Sequence, residues 1–194
     1  MKMKEKKEKY EEYIGKTYDD PKKMLEALKK FELKISDIII LLLGITEDNS
    51  PIYGRTLLVK EVFLAIQEVF SKYPIKYQDP IFVPYKYGPY SFNLIDTVET
   101  MAMQGYIIRR GKRGTRKEMF LLTKKGKKIY EEVKKKLENK YPGLFEELKR
   151  KRVGWDELGT DGILKYVYQN YQRYLDKSKI YKKYEPIQWG KGRG

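Results

Sequence analysis

The chain contains neither cysteine nor histidine among its 194 residues. The lack of cysteine excludes disulfides and thiol nucleophiles, and the lack of both residue types excludes every Cys/His zinc site. A catalytic triad that depends on histidine is excluded as well. A chain without cysteine fits a reducing compartment, so we expect a cytoplasmic protein with no metal and no cofactor.

Long apolar runs are also missing. The most apolar run, residues 38–43, is far shorter than the roughly 20 residues that a membrane-spanning helix needs. Residues 1–13 are charged and lack the apolar segment of a signal peptide. The sequence therefore predicts no association with a membrane.

Only one cluster of carboxylates is a candidate for catalysis, and it consists of Asp156, Glu157 and Asp161. The alternative is that these acids cap a helix predicted to begin near Ile163, because acidic side chains are favoured at the start of a helix. We prefer the capping interpretation, since no paired acid and base accompanies the cluster. The sequence thus predicts that the protein is not an enzyme.

Positive charge is what the chain has in excess. Its 42 Lys and Arg exceed its 27 Asp and Glu, which gives a formal net charge of +15. Heavy use of Lys and Glu without Cys is typical of thermophile proteins, but that composition raises both signs together. A one-sided excess instead indicates a polyanionic partner, most often nucleic acid and sometimes a membrane or an acidic protein.

The chain divides into a charged tail or frayed helix at residues 1–20, a single domain at 21–185 and a flexible basic tail at 186–194. A first helix is predicted from Pro21, since proline is favoured at the first helical position. A second begins with Ser36 as N-cap and runs to Leu43. Because this helix is apolar on nearly all sides, we expect it at the centre of the core.

A third helix is predicted after Gly54, with Thr56 as its cap, followed by a loop at residues 72–89 that is rich in Pro, Tyr and Gly. The next helix runs from Ser91 to Gln104 and ends at Gly105. The buried stripe of the third helix is predicted to be Leu58, Val62, Phe63, Ile66, Val69 and Phe70.

Two strands follow, at residues 106–110 and 119–122, joined by a turn at 111–114. Thr123 then caps a Lys-rich helix with Ile129, Val133 and Leu137 on its inner face. Such a hairpin also occurs in other α+β folds. The full order of elements predicts a mainly α (α+β) fold: a winged helix-turn-helix core at about residues 36–137, a two-stranded wing, and additional N- and C-terminal helices.

The C-terminal part of the domain contains a predicted helix from Ile163 to Leu175. Its tyrosines recur at helical spacing, a pattern more typical of a core or a subunit interface than of a ligand site. They are Tyr166, Tyr168, Tyr171 and Tyr174.

The segment at residues 106–122, which we call the basic hairpin, carries a dense group of cations. Residues 105–152 contain 18 Lys or Arg against 6 Asp or Glu. A solvated hairpin would explain a charge run, but six like charges around one turn repel each other. A phosphate backbone relieves that repulsion, because each neutralised phosphate releases counterions. The six predicted DNA contacts are Arg109, Arg110, Lys112, Arg113, Arg116 and Lys117.

The helix before the basic hairpin is the predicted recognition helix. It contains no Lys or Arg, and Asp96 and Glu99 flank its polar stripe. It either reads bases while the hairpin supplies the affinity, or does not enter DNA. Its polar stripe, which could bond to base edges, is Asn93, Thr97, Thr100 and Gln104. Its predicted inner face is Phe92, Ile95, Val98, Met101 and Ala102.

The pattern Arg-Thr-x-Leu-x-Lys-x-x-Phe-Leu occupies residues 55–64, and Tyr-Lys-Tyr-Gly-Pro-Tyr-Ser occupies residues 85–91. Together with residues 155–181, these segments resemble the YwgA-like proteins, which are related to the Panacea, or SocA-like antitoxin, domain. That resemblance implies a winged-helix-like fold, no established enzymatic activity, and action through protein partners as antitoxins or adaptors. The basic hairpin and the helix after it resemble winged-helix regulators of the PadR and MarR type at the level of fold.

The expectation from the sequence is a protein that binds double-stranded DNA, a winged-helix transcriptional regulator that forms a homodimer. The alternative is an antitoxin-like or adaptor domain that binds an acidic protein partner, such as a toxin, without binding DNA.

Overall fold

The computed structural model describes residues 30–46, 48 and 50–175. The helix or tail predicted at residues 1–20 and the basic tail at 186–194 lie outside the described residues. The helix predicted from Pro21 does too, apart from its last residues.

The described residues form a mainly helical α+β fold with two small antiparallel sheets. The helices are α1 Ile35–Gly44, α2 Arg55–Leu64, α3 Phe92–Met103, α4 Lys124–Glu138 and α5 Leu144–Asn170. Three short turns continue them: a π-helical turn at Ala65–Val69, a 3-10 turn at Phe70–Lys72 and a 3-10 turn at Gln172–Tyr174. The strands are β1 Ile52–Tyr53, β2 Val83–Tyr85, β3 Gly88–Tyr90, β4 Ile107–Arg110 and β5 Met119–Leu122.

The strands of the basic hairpin pair antiparallel, as the sequence predicts. Ile107 lies opposite Leu122 and Arg110 opposite Met119. Strand β1 pairs with the other edge of β5, which makes a three-stranded sheet in the order β1-β5-β4. The connecting turn covers residues 111–118 and is therefore longer than predicted.

The loop predicted at residues 72–89 is wrong in its second half, where β2 and β3 form a hairpin. Prolines argue against a strand within a sheet, but both strands here are edges, where proline is tolerated. Gly88 closes the turn at a φ of +80°. A side chain at that position would also meet the Tyr168 ring, so the hairpin packs closely on α5.

Helix α1 lies at the centre of the core, as its apolar sequence predicts. All six residues from Ile38 to Leu43 are buried, and the helix packs against α2, α3, α4 and β5. Its predicted N-cap is wrong: Lys34 precedes the helix and its N–H donates to Asp37 Oδ2 over 2.8 Å. Asp37, one turn into the helix from Lys34, thus supplies the side-chain acceptor at the start of α1.

The predicted starts of α3 and α4 are confirmed. Ser91 Oγ accepts the N–H of Leu94 over 3.0 Å, and Thr123 Oγ1 accepts the N–H of Gly126 over 3.0 Å. Gly105 follows α3 at a φ of +71°. The predicted cap of α2 is wrong, because Gly54, at a φ of +85°, precedes the helix and Thr56 lies inside it.

Helix α5 consists of two helical segments joined across a kink at Gly159, where φ is +60°. The second segment begins just after the kink, close to the predicted start near Ile163, whereas the first segment, from Leu144, was not predicted. The tyrosines beyond the kink belong to the core: Tyr168 and Tyr174 are buried, and Tyr166 and Tyr171 pack against the core. No helix in the described part of the chain has the length and apolar character needed to cross a membrane.

Candidate nucleic-acid interface and buried charges

The inner face of α3 is largely as predicted, because Ile95, Val98 and Met101 are buried. Phe92 is the exception, since 51% of it is exposed. Its ring stacks edge-on against Tyr85 and Tyr90 of the β2–β3 hairpin, with centroids 5.6 and 5.0 Å away. A neighbour that the sequence did not indicate therefore holds Phe92 at the surface.

The polar stripe of α3 is only half exposed. Asn93 and Thr97 are half-buried, whereas Thr100 and Gln104 are exposed. The hydroxyl of Thr97 donates to the Asn93 carbonyl oxygen over 2.7 Å, and that of Thr100 donates to the carbonyl of residue 96 over 2.9 Å. Both hydroxyl protons are thus bound within the helix. The most exposed face of α3 is Phe92, Asp96, Thr100, Met103 and Gln104.

Glu99 of α3 neutralises arginines instead of opposing phosphates. Its carboxylate lies 2.8 Å from Arg55 and 3.0 Å from Arg113, and it also pairs with Arg109. Burial alone would raise the pKa of Glu99, but the hydrogen bond from Arg55 and the charges of Arg109 and Arg113 hold it below its ordinary value. The flanking acid is therefore a centre of ion pairing.

Glu118 is the second centre of this network. Its side chain is fully buried, accepts a hydrogen bond from Arg55 over 2.9 Å, and accepts the N–H of Gly114 over 2.8 Å. Sequence reasoning missed both Arg55 and Glu118. A signal was present, because Glu118 is the one acid in residues 105–130.

The six predicted DNA contacts fall into two groups. Arg109 and Arg113 pair with Glu99, and Arg116 lies 3.2 Å from Asp161 in an exposed pair. The mutual repulsion expected of these six like charges is therefore partly relieved by acids of the chain itself. The other three are exposed and form no ion pair with the described residues: Arg110, Lys112 and Lys117.

A second group of cations lies at the start of α4. The Nζ of Lys125 donates to the carbonyl oxygen of Gln104 over 3.0 Å, which places it beside the end of α3. The four-residue strand β4 separates this group from the hairpin turn by about 13 Å. Its exposed members are Lys124, Lys125, Lys127 and Lys128.

The acids considered for catalysis do not form one site. Asp156 pairs with Arg152 of its own helix, Asp161 pairs with Arg116, and Glu157 is exposed. Asp156 and Glu157 lie before the kink at Gly159 and so do not cap the helical segment that follows it, whereas Asp161 lies in the first turn after the kink.

Besides Glu118, three further fully buried charged side chains were not predicted: Lys60, Glu61 and Arg152. The Nζ of Lys60 donates to the carbonyl oxygen of Pro89 over 2.7 Å, which joins the two segments, residues 55–64 and 85–91, that carry the family resemblance. Burial lowers the pKa of Lys60 to about 7.

Glu61 and Arg152 form a buried pair between α2 and α5. Arg152 Nε lies 2.9 Å from Glu61 Oε2. Burial raises the pKa of Glu61 to about 8, although the charge of Arg152 opposes that rise. Two charges within an apolar helix were the available signal, since α2 is otherwise hydrophobic between Val59 and Leu64.

No protein-family model, no curated protein and no solved structure matches this chain. The resemblance of residues 55–64 and 85–91 to the YwgA-like and Panacea proteins therefore stays a prediction.

Proposed function

We propose that the protein is a winged-helix DNA-binding protein, active as a homodimer, whose basic hairpin contacts the phosphate backbone. The order α1-β1-α2-α3-β4-β5, with its sheet in the order β1-β5-β4, supports the winged-helix assignment. One feature departs from a compact helix-turn-helix: the π turn and the β2–β3 hairpin separate α2 from α3. In this proposal α3 is the recognition helix and the basic hairpin is the wing.

The observation that carries the proposal is the set of exposed cations on the hairpin, Arg110, Lys112 and Lys117. Cations that pair with no carboxylate of the described residues can neutralise phosphates without breaking an ion pair there, and each contact releases counterions. Since α3 contributes no cation, phosphate contacts would dominate, and such contacts position a protein without specifying sequence. We therefore infer binding that tolerates many sequences, as the basis of a regulatory role.

The test is the affinity for a random-sequence DNA duplex across a salt series. For Z phosphate contacts the slope of log K against log salt is about −0.9Z, so three contacts predict a slope of about −2.7. Sedimentation of the free protein and of the complex at the same salt reports whether a dimer binds. A wild-type protein that shows no binding at roughly 50 mM salt would overturn the proposal.

Matched variants localise the contacts. Lys112→Gln with Lys117→Gln should make the slope about 1.8 less steep and weaken binding to all sequences alike. The control is Lys135→Gln with Lys165→Gln, which removes the same charge at exposed positions of α4 and α5. If both double variants change the slope equally, net charge rather than the hairpin causes the binding.

A second candidate is the protein-binding function, and the exposed apolar side chains of α3 favour it. Phe92 is 51% exposed and Met103 is 82% exposed. They lie eleven residues apart, about three helical turns, and so share one face. An acidic partner such as a toxin could cover this face while its carboxylates meet the exposed cations of the hairpin.

One double variant separates the two candidates. Phe92→Ser with Met103→Ser should leave the DNA salt slope unchanged, because it removes no charge. If the protein acts as an adaptor, the same variant should lose the partner with which the wild type co-purifies after co-expression with the products of neighbouring genes. A complex that survives this change would count against the α3 face as the docking surface.

A further inference from the structure

A cavity of about 160 Å³ lies between α2, the β2–β3 hairpin and the turn of the basic hairpin. Arg55 and Lys60 line it from α2, Tyr87 and Tyr90 from the β2–β3 hairpin, and Gly114 from the turn. Its volume is close to the roughly 150 Å³ of an engineered protein cavity that binds benzene. The space therefore suits a small organic molecule.

Lys60 brings an uncompensated positive charge to this cavity. Its side chain is 1% exposed and makes a hydrogen bond to the carbonyl oxygen of Pro89. An ammonium group has three N–H donors, so that bond leaves two of them. No carboxylate of the described residues pairs with Lys60, and burial without a counter-charge is costly.

Arg55 adds a second unsatisfied donor. One of its terminal nitrogens binds Glu99 and Glu118, whereas its Nε is buried and has no hydrogen-bond partner among the described residues. Helix α2 also begins at this residue, after Gly54, without a side-chain cap. Two buried donors, from Arg55 and Lys60, and the positive end of a ten-residue helix thus meet at one cavity.

We propose that this cavity binds a small organic monocarboxylate. The charges that line the cavity select a monoanion. Arg55 already pairs with Glu99 and Glu118, whereas Lys60 pairs with no carboxylate of the described residues. The other arginines of that network, Arg109 and Arg113, are exposed to solvent and do not line the cavity. A doubly charged phosphate would bring surplus negative charge close to those two glutamates. The carboxylate would accept hydrogen bonds from Lys60 Nζ and Arg55 Nε, and the rings of Tyr87 and Tyr90 would pack against the carbon skeleton.

The test is the thermal midpoint of the full-length protein with increasing benzoate at pH 6, where Lys60 is protonated. A ligand that binds only the folded state stabilises it by RT ln(1 + [L]/Kd) and so raises the midpoint as its concentration rises. We expect benzoate to raise the midpoint, and benzamide, which has the same shape without the charge, to leave it unchanged. Inorganic phosphate at the same concentration should also have no effect. A midpoint that responds to phosphate but not to benzoate, or to benzamide as strongly as to benzoate, would overturn the proposal.

Calorimetric titration of variants locates the site. Lys60→Met keeps the length of the side chain, removes the buried charge, and should weaken benzoate binding by about tenfold or more. Lys165→Met is the control, because it removes one exposed lysine from α5, and it should bind as the wild type does. Benzoate binding that is equal in both variants would place the anion elsewhere.

A spectroscopic readout is independent of affinity. In nuclear magnetic resonance titrations, benzoate should raise the pKa of Lys60 above its ligand-free value, because a bound carboxylate stabilises the ammonium form. A Lys60 pKa that is unaffected by saturating benzoate would contradict direct contact.

Discussion

The buried pair between Glu61 and Arg152 leads to an asymmetric prediction about stability. Both side chains are fully buried, and they belong to different helices, α2 and α5. Arg152 also pairs with the partly exposed Asp156, whereas Glu61 has no other cation beside it in the described residues. Removing the arginine therefore isolates the glutamate, but removing the glutamate does not isolate the arginine.

The magnitudes follow from this difference. Arg152→Met should lower the free energy of unfolding by about 3–5 kcal/mol at pH 10, where Glu61 of the wild type is ionised; this is the range for a buried ion pair that loses one partner. Glu61→Gln should lower it by about 1–3 kcal/mol, the cost of one imperfectly bonded buried polar group. The amide keeps the shape of the carboxyl, and Arg152 keeps Asp156.

The cost of Arg152→Met should depend on pH. Burial raises the pKa of Glu61 from 4.5 to about 8 in the folded protein. A raised folded-state pKa contributes stability that is complete below pH 4.5 and is lost as the pH rises through about 8. Without the charge of Arg152 this pKa should rise further, so Glu61 is protonated at pH 5. The loss in Arg152→Met should then fall to about 1–3 kcal/mol, the cost of a neutral buried group.

Urea denaturation at pH 5 and pH 10, followed by tryptophan fluorescence, to which the buried Trp155 contributes, measures both variants. Arg150→Met is the control, because Arg150 is exposed and its replacement should change stability by less than about 0.5 kcal/mol. A cost of Arg152→Met below about 1 kcal/mol at pH 10, or an equal cost at both pH values, would refute the reasoning.

Two further predictions concern packing. Leu41→Ala should cost about 2–5 kcal/mol, because Leu41 is fully buried in the central helix α1; an unchanged melting midpoint would show that α1 is not central. Gly126→Ala should destabilise by about 1–3 kcal/mol, since its Cβ would lie 2.1 Å from the backbone oxygen of Tyr106. Gly154→Ala, in helix α5 with nothing within 4 Å of the new carbon, should instead stabilise by about 0.5–1 kcal/mol. Chemical denaturation of the Gly126→Ala and Gly154→Ala variants measures both effects, and a stability change of the same sign in both would count against the close approach at Gly126.

Local signals predicted the elements whose ends depend on neighbouring residues. Ser91, Gly105 and Thr123 mark helix ends correctly because a cap or a left-handed residue acts within one turn of chain. The β2–β3 hairpin and the start of α5 were not predicted. The hairpin is stabilised by packing on α2 and α5, which proline and glycine content does not reveal.

In the candidate site, too, local features were predicted from the sequence and long-range contacts were not. Charge composition located the basic hairpin, because a dense run of cations is visible in the sequence. Which of those cations are paired depends on contacts across the fold: Arg55 and Glu118 lie 63 residues apart, and Arg116 and Asp161 lie 45 residues apart. No spacing rule connects such pairs.

The interlocking of α2 with α5 has a consequence for synthesis on the ribosome. Arg152 is synthesised about ninety residues after its partner Glu61. Tyr171 and Tyr174, which contact the Phe63 ring edge-on, are synthesised later still. At a synthesis rate of about 5–20 residues per second, Glu61 of α2 is made roughly 5–18 s before Arg152 of α5. A nascent chain that ends near residue 137 would therefore expose the Glu61 carboxyl and the apolar face of α2 together. Chaperones that bind exposed apolar segments would have α2 as a target until α5 has been synthesised.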